Sequence, residues 1–299
     1  MDWVRSSLLV IVLLVYSLRK RSLSNSGAIG AIFVGFTTFL NPQLLTTIVL
    51  ITFFISGSII TKFKAQEKKK LEVDYKEGGQ RNIIQVLCNG LTGSVMSLAY
   101  QLFISGRTQT SSELCLADGG WTSFFIFGFI GHYACCCADT WASELGILNY
   151  DWPYLITTFE QVPPGTNGAI SLVGTLASLM GGQVVGLVAA LSLRQQHPEC
   201  GFRLGIMGLG MLTGLVGSMI DSLLGATIQA TYYQTSTMKI VPKESRCKNS
   251  KESEKEELPD VKLIAGYDFM DNNLVNLTSS LATSLLAGIL GSWLLSNSS

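Results

Sequence analysis

Four acidic residues stand at the ends of long apolar stretches. They are Asp139 and Glu144 in Asp139-Thr140-Trp141-Ala142-Ser143-Glu144, Asp221 in Ser218-Met219-Ile220-Asp221-Ser222, and Asp271 in Asp271-Asn272-Asn273. A carboxylate at membrane depth is costly and is usually retained for an ion, a proton or a charged ligand. Hard oxygen ligands from separate helices, completed by substrate phosphates, are how proteins hold magnesium. Asp139 and Ser143 share a helical face, whereas Glu144 points well away from Asp139 on an ideal helix. Asp139 therefore needs carboxylates from other helices, and Asp221 and Asp271 are the candidates. Gly217, Asp221 and Gly225 form a stripe at four-residue spacing that lets a neighbouring helix come close beside Asp221. Taken singly, each acid has a plainer reading as a helix cap or a structural hydrogen-bond acceptor. Four on one side of the membrane favour a common site.

Two other motifs suit phosphate. Gly165-Thr166-Asn167-Gly168 follows a pair of prolines and feeds a span, and backbone N–H groups at such a start can bind an anion. Gln80-Arg81-Asn82 places a fixed cation near the membrane surface, where it can pair with phosphate. Ser143, Asn272 and Asn273 add polar support. Neither His132 nor His197 has a partner in the sequence, so a general base here is expected to be a carboxylate. The seven cysteines contain no C-x-x-C pair and no zinc spacing. The run Cys135-Cys136-Cys137 reads as small buried hydrophobes. Cys115 and Cys200 fall in loops on the same side, where a disulfide can form.

These residues need elements to position them. Of the 299 residues, 47% are hydrophobic and only 14% charged. A soluble domain carries about 25% charged residues. With repeated apolar runs near bilayer length, the expected fold is all-α, a polytopic integral membrane helical bundle. Continuous apolar runs without alternation exclude a β-barrel. Eight spans are expected, at about 3–18, 27–41, 43–60, 83–105, 121–138, 168–192, 203–221 and 274–295. They form one multi-pass domain, with a flexible polar loop at about 243–262. A net charge of zero gives no reason to expect nucleic acid, and the partner is the bilayer itself.

If the stretch after the first span is cytosolic, 17 of the 21 Lys and Arg residues fall on the cytosolic side. That is a strong positive-inside pattern. It also puts every polar motif above at the cytosolic face. The first apolar segment lacks a convincing cleavage site and no transit-type leader precedes it, so it is expected to be a span. The expected location is the endoplasmic reticulum or plasma membrane rather than a plastid.

The motifs Tyr75 to Asn82, Asp139 to Glu144, Gly165 to Gly168, Gly217-Ser218 with Asp221-Ser222, and Asp271-Asn272-Asn273 with Asn276-Leu277 together resemble the transmembrane protein 19 family. That family includes plant glucose-response proteins and chloroplast phytyl-phosphate kinases. The likeness runs from about Lys20 to Leu294. A more distant similarity links Asp139-Thr140-x-Ala142-Ser143 and Thr157-Thr158-x-Glu160 to CTP-dependent polyprenol and dolichol kinases. It implies magnesium or base chemistry at Asp139, with Thr158 and Glu160 near the nucleotide.

The expected activity is therefore phosphorylation of an isoprenoid alcohol or isoprenyl phosphate by CTP or ATP with magnesium. Asp139 and Glu144 would be catalytic, and Asp139, Asp221 and Asp271 would hold the metal. Arg81, Thr158, Glu160, Gly165, Thr166, Asn167 and Gly168 would meet the nucleotide. The alternative is a non-enzymatic membrane protein in sugar response or lipid handling. Transport is least favoured, since no internal repeat is evident.

Overall fold

The computed structural model describes residues 3–64, 80–242 and 260–296. The motif residues Tyr75 to Gly79 and most of the polar insert, 243–259, lie outside the described residues.

The centre of the bundle is the helix Trp121–Gly146, here α7. Its residues from Thr122 to Ala138 are buried, with the sole partial exceptions of Phe124 and Phe125. A helix apolar on every face belongs in the middle of a bundle. Around it pack α3 (Leu44–Lys62), α5 (Leu91–Ile104), α8 (Leu172–Gln196), α9 (Leu204–Ile228) and α10 (Asn272–Ser296). By length and composition α3, α7, α8, α9 and α10 can each cross a membrane. The outer pair, α1 (Trp3–Arg19) and α2 (Asn25–Phe39), pack on each other. Ser6 Oγ donates to Phe39 O at 3.0 Å and fixes that pairing.

Small residues set how closely the helices approach. Gly182 and Gly186 of α8 lie against Gly210 and Gly214 of α9, and a Cβ on Gly210 would sit 2.6 Å from the Gly186 Cα. Packing of this kind replaces the hydrophobic drive that is absent between helices in lipid.

The expected span at 83–105 is broken. It divides into α4 (Ile83–Cys88) and α5, with Asn89 and Gly90 between them. Gly90 sits against Val34, and a Cβ there would be 2.7 Å from Val34 Cγ2. The freed Asn89 carbonyl faces His132 Nε2 at 3.0 Å. A protein-buried carbonyl can leave the helical ladder because another group satisfies it. Between Gln109 and α7 lies a short α6 (Ser111–Leu114).

Two small sheets complete the all-α frame. β1 (Tyr154–Leu155) pairs antiparallel with β2 (Ala169–Ile170) in the loop between α7 and α8. After α9, β3 (Thr231–Gln234), β4 (Lys239–Val241) and β5 (Val261–Ala265) form an antiparallel sheet in the order β4-β3-β5. Leu155, Val162, Ala226 and Ala265 make a small apolar core that seats both sheets on the end of α9. The expected loop at 243–262 thus ends in strand: its described residues are Asp260 and the start of β5.

The two ends of the bundle differ. At one end Cys115 and Cys200 form a disulfide with Cα atoms 5.2 Å apart. Arg203 Nη1 donates to Cys115 O at 2.7 Å beside it. The other end carries both sheets, and the Lys62 ammonium donates to Lys20 O and to Ser22 Oγ.

Candidate functional site

A polar cavity of about 570 Å³ opens at the sheet-bearing end. A cleft of that size holds a small-molecule ligand. Its acidic wall is made by two helices. Asp139 comes from the last turns of α7, where the buried run ends, and Asp221 from the last two turns of α9. Asp221 is the charged neighbour that acts on Asp139. Gly217, one turn before Asp221, lets α9 close on Cys135 of α7 and Thr283 of α10. That part of the glycine stripe brings helices together as the spacing predicts. Gly225 does something else: it receives the loop at Asn167 and Gly168.

Asp221 is held in place by α10. Ser279 Oγ donates to Asp221 Oδ2 at 2.8 Å. With its amide oriented to satisfy its neighbours, Asn276 donates to the same oxygen at 3.1 Å. Asn272, Asn273 and Asn276 all line the cavity. The asparagines fall on one face of α10, since 272 and 276 are one turn apart.

Asp271 is not part of this wall. It is exposed and caps α10, accepting from Leu274 N at 2.9 Å. The expected three-carboxylate metal site is corrected accordingly. Among the described residues no three His, Cys, Asp or Glu side chains gather to hold a metal ion. The helix start at Asp271 needs an acceptor for its unpaired N–H groups, and that need turns the carboxylate back onto its own backbone.

The basic wall is Arg81. A bridge between Leu23 and Arg81 ties its backbone to the loop after α1: Arg81 N donates to Ser22 O and Ser24 N to Arg81 O, each at 3.1 Å. Its guanidinium reaches Ser58 Oγ at 3.4 Å and feels the charge of Glu144. Burial holds the guanidinium below its ordinary range, and Glu144 opposes that effect. Glu144, Ser143 and Gln80 also line the cavity. Asn82 does not. It caps α4 in a reciprocal pair with Gln85, which is itself a cavity residue.

The turn Gly165-Thr166-Asn167-Gly168 forms a third wall. It does not lead straight into a helix as expected. β2 and Ser171, the N-cap of α8, intervene. Two of its N–H groups are engaged internally, Thr166 N on Pro163 O and Asn167 N on Thr231 Oγ1. Gly168 has φ +74°, and a side chain there would run into the backbone of Ser222 and Ala226. Glycine is what lets this turn lie against α9. Thr158 and Glu160, expected near the nucleotide, are exposed outside the cavity, with Thr158 Oγ1 accepting from Glu160 N at 3.3 Å. The tight β1 turn directs them outward.

The sequence did not single out Gln85, Asn89, Ser218 or Gln229 as site residues, yet all line the cavity. Asn89-Gly90 inside an apolar run is a breaker pair, and that signal was available. Asn276 was noticed only within a longer motif.

A bundle of apolar helices enclosing a polar cavity at one end defines an integral membrane protein. The chain belongs to the DUF92 integral membrane protein family, whose model matches residues 8–284. It is 39% identical over 280 residues to Protein PGR of Arabidopsis thaliana, covering 91% of this chain and 90% of the relative. It is 32% identical to an uncharacterized membrane protein of Methanocaldococcus jannaschii, over 75% of this chain and 82% of the relative. It is 27% identical to Protein VTE6, chloroplastic, of Arabidopsis thaliana, over 74% of this chain and 61% of the relative. These relatives agree with the transmembrane protein 19 resemblance carried by the motifs. No solved structure matches the chain at a significant level.

Proposed function

We propose that the protein is a lipid kinase that transfers a phosphoryl group from CTP or ATP to an isoprenoid alcohol or isoprenyl phosphate. The observation that carries this reading is the single cavity that Asp139 and Asp221, from two different helices, line together with Arg81. Phosphoryl transfer needs mainly positioning and neutralisation of charge. Magnesium is commonly held by one or two carboxylates plus substrate phosphates, so two acids with neighbouring amides fit it. Asp139 and Asp221 would hold the ion, which when bound supplies charge neutralisation on the phosphates.

The rest is done by the chain. Arg81 pairs with phosphate oxygens. Ser279 and Asn276 keep Asp221 oriented. The acceptor oxygen of the lipid attacks the terminal phosphorus, the bond to the bridging oxygen breaks, and the nucleoside diphosphate leaves. With an alcohol as acceptor, Glu144 takes its proton. The cavity opens to the cytosol, in an endomembrane or the plasma membrane. The name of the relative VTE6 places that protein in the chloroplast, which runs against the non-plastid expectation for this chain. The similarity to Protein PGR over nearly the whole chain keeps a second reading open, a non-enzymatic role in sugar response or lipid handling.

The test uses purified protein with labelled CTP or ATP against farnesol, phytol, phytyl phosphate and dolichol. The kinase reading expects transfer to one of them, reduced at least a hundredfold in Asp139→Asn with folding intact. No transfer to any of them, with no nucleotide binding, favours the non-enzymatic reading.

A further inference from the structure

The polar cavity does not end at Arg81. Arg81, Gln85, Asn89 and Phe53 also line a second, apolar groove between α1, α2 and α3. Its walls are Val10, Leu13 and Leu14 of α1, Val34 and Phe39 of α2, and Phe54 of α3. Away from the shared residues the lining is almost entirely hydrocarbon: the Ser17 hydroxyl turns back onto its own helix at Leu13 O. From Val10 to Ser17 the groove follows α1 for about 10 Å. It is small, about 90 Å³. Gly35 sits on the wall opposite Val10, where a Cβ would lie 3.2 Å from Val10 Cγ2 and a large side chain would fill the space.

A gap between helices at the bilayer face could simply hold a lipid tail. This one differs in where it leads. Its inner end meets the polar cavity, and Arg81 at the junction lines both spaces. An apolar slot that terminates on a cation fits an amphiphile with one chain and an anionic head. Its small volume suits one chain rather than the two of a diacyl lipid.

We propose that this groove is the tail site of a single-chain lipid monophosphate, which enters sideways from the bilayer and sets its phosphate beside Arg81. The inference rests on the reading of the polar cavity as a phosphate-handling site. Gln85 and Asn89 form a polar collar at the boundary of head and tail, and α1 is the outer wall of the entrance.

The test is photolabelling in phosphatidylcholine nanodiscs. The probe is geranyl monophosphate with a diazirine on its last isoprene unit, without nucleotide. The expected labels fall within Val10–Ser17 of α1 and Ala31–Phe39 of α2. Leu14→Trp should cut labelling at least tenfold and leave the affinity for dimethylallyl monophosphate, whose chain is too short to reach Leu14, unchanged. Gly35→Leu should act the same way. Labels on the outer faces of α9 and α10 instead, equal loss of both ligands in Leu14→Trp, or displacement of the probe by dioleoyl phosphatidic acid as readily as by unlabelled geranyl monophosphate, would overturn the proposal. Because labelling needs no turnover, a wild-type protein that labels in the groove but transfers no phosphate keeps the tail site and loses the kinase reading. One that transfers phosphate but labels elsewhere loses only the tail site.

Discussion

Asp221 and Asp271 are both aspartates at the edge of an apolar run, and they do different work. Asp221 is braced by Ser279 and Asn276 in a cavity, while Asp271 closes the first turn of its own helix. Sequence supplies the residue type in both cases. It cannot say which carboxylate turns inward, because the free N–H groups of a helix start compete for the side chain. The distinction is measurable. Asp271→Ala should lower stability by about 1 kcal/mol, the usual effect of a lost cap, and leave lipid phosphorylation near wild type. Thermal unfolding in detergent and the transfer assay read the two effects separately. Thr158→Ala and Glu160→Ala should likewise leave transfer unchanged, because both residues lie outside the cavity. Arg81→Lys keeps a positive charge and loses the planar fork, so KM for the phosphorylated substrate should rise at least tenfold. An unchanged KM would remove Arg81 from phosphate binding.

The helices were legible because apolar periodicity and length leave few alternatives. α8 and α10 lie close to the stretches read from sequence, while α7 and α9 run on to Gly146 and Ile228, past the expected ends at 138 and 221, because a helix continues through polar residues once the apolar run stops. The misses have physical causes. α4 and α5 read as one span because hydrophobicity averages over the Asn89-Gly90 break. The β4-β3-β5 sheet was hidden because short strands beside a charged insert have too little alternation to register. At this scale glycine decides the geometry. Gly210→Leu would force α8 and α9 apart, and overpacking of that kind lowers stability by about 1–3 kcal/mol. Gly168→Ala would combine a positive φ with a clash on α9, with a similar loss of about 1–3 kcal/mol and a displaced cavity wall. Denaturation in detergent micelles would measure both. If Gly168→Ala is as stable and as active as wild type, the turn is not a wall of the site.

Across the whole molecule the disulfide and the cavity occupy opposite ends. Disulfides persist in oxidising compartments, so we propose that the Cys115–Cys200 end faces away from the cytosol and the cavity toward it. The charge distribution read from sequence expects the same orientation, with 17 of 21 basic residues in the stretches read as cytosolic. In a Cys247→Ser background, a membrane-impermeant maleimide should reach Cys115 and Cys200 only after reduction and only from the non-cytosolic side. A cysteine at position 273 should react only from the cytosolic side. Labelling of both from one side would invert or break this topology. The convergence of separate motifs on one end was thus legible as charge and order along the chain. The closure of that end around a single cavity was not, since it depends on helix rotation, which the residue pattern leaves open.

The proposed chemistry needs Asp139 of α7 and Asp221 of α9 to act together on a divalent cation with phosphate. Manganese binding, followed by electron paramagnetic resonance on the purified protein with CTP or ATP present, tests it most directly. A bound signal is expected in wild type, lost in both Asp139→Asn and Asp221→Asn and retained in Asp271→Asn. A signal that survives in either of the first two variants, or disappears only in the third, would contradict it.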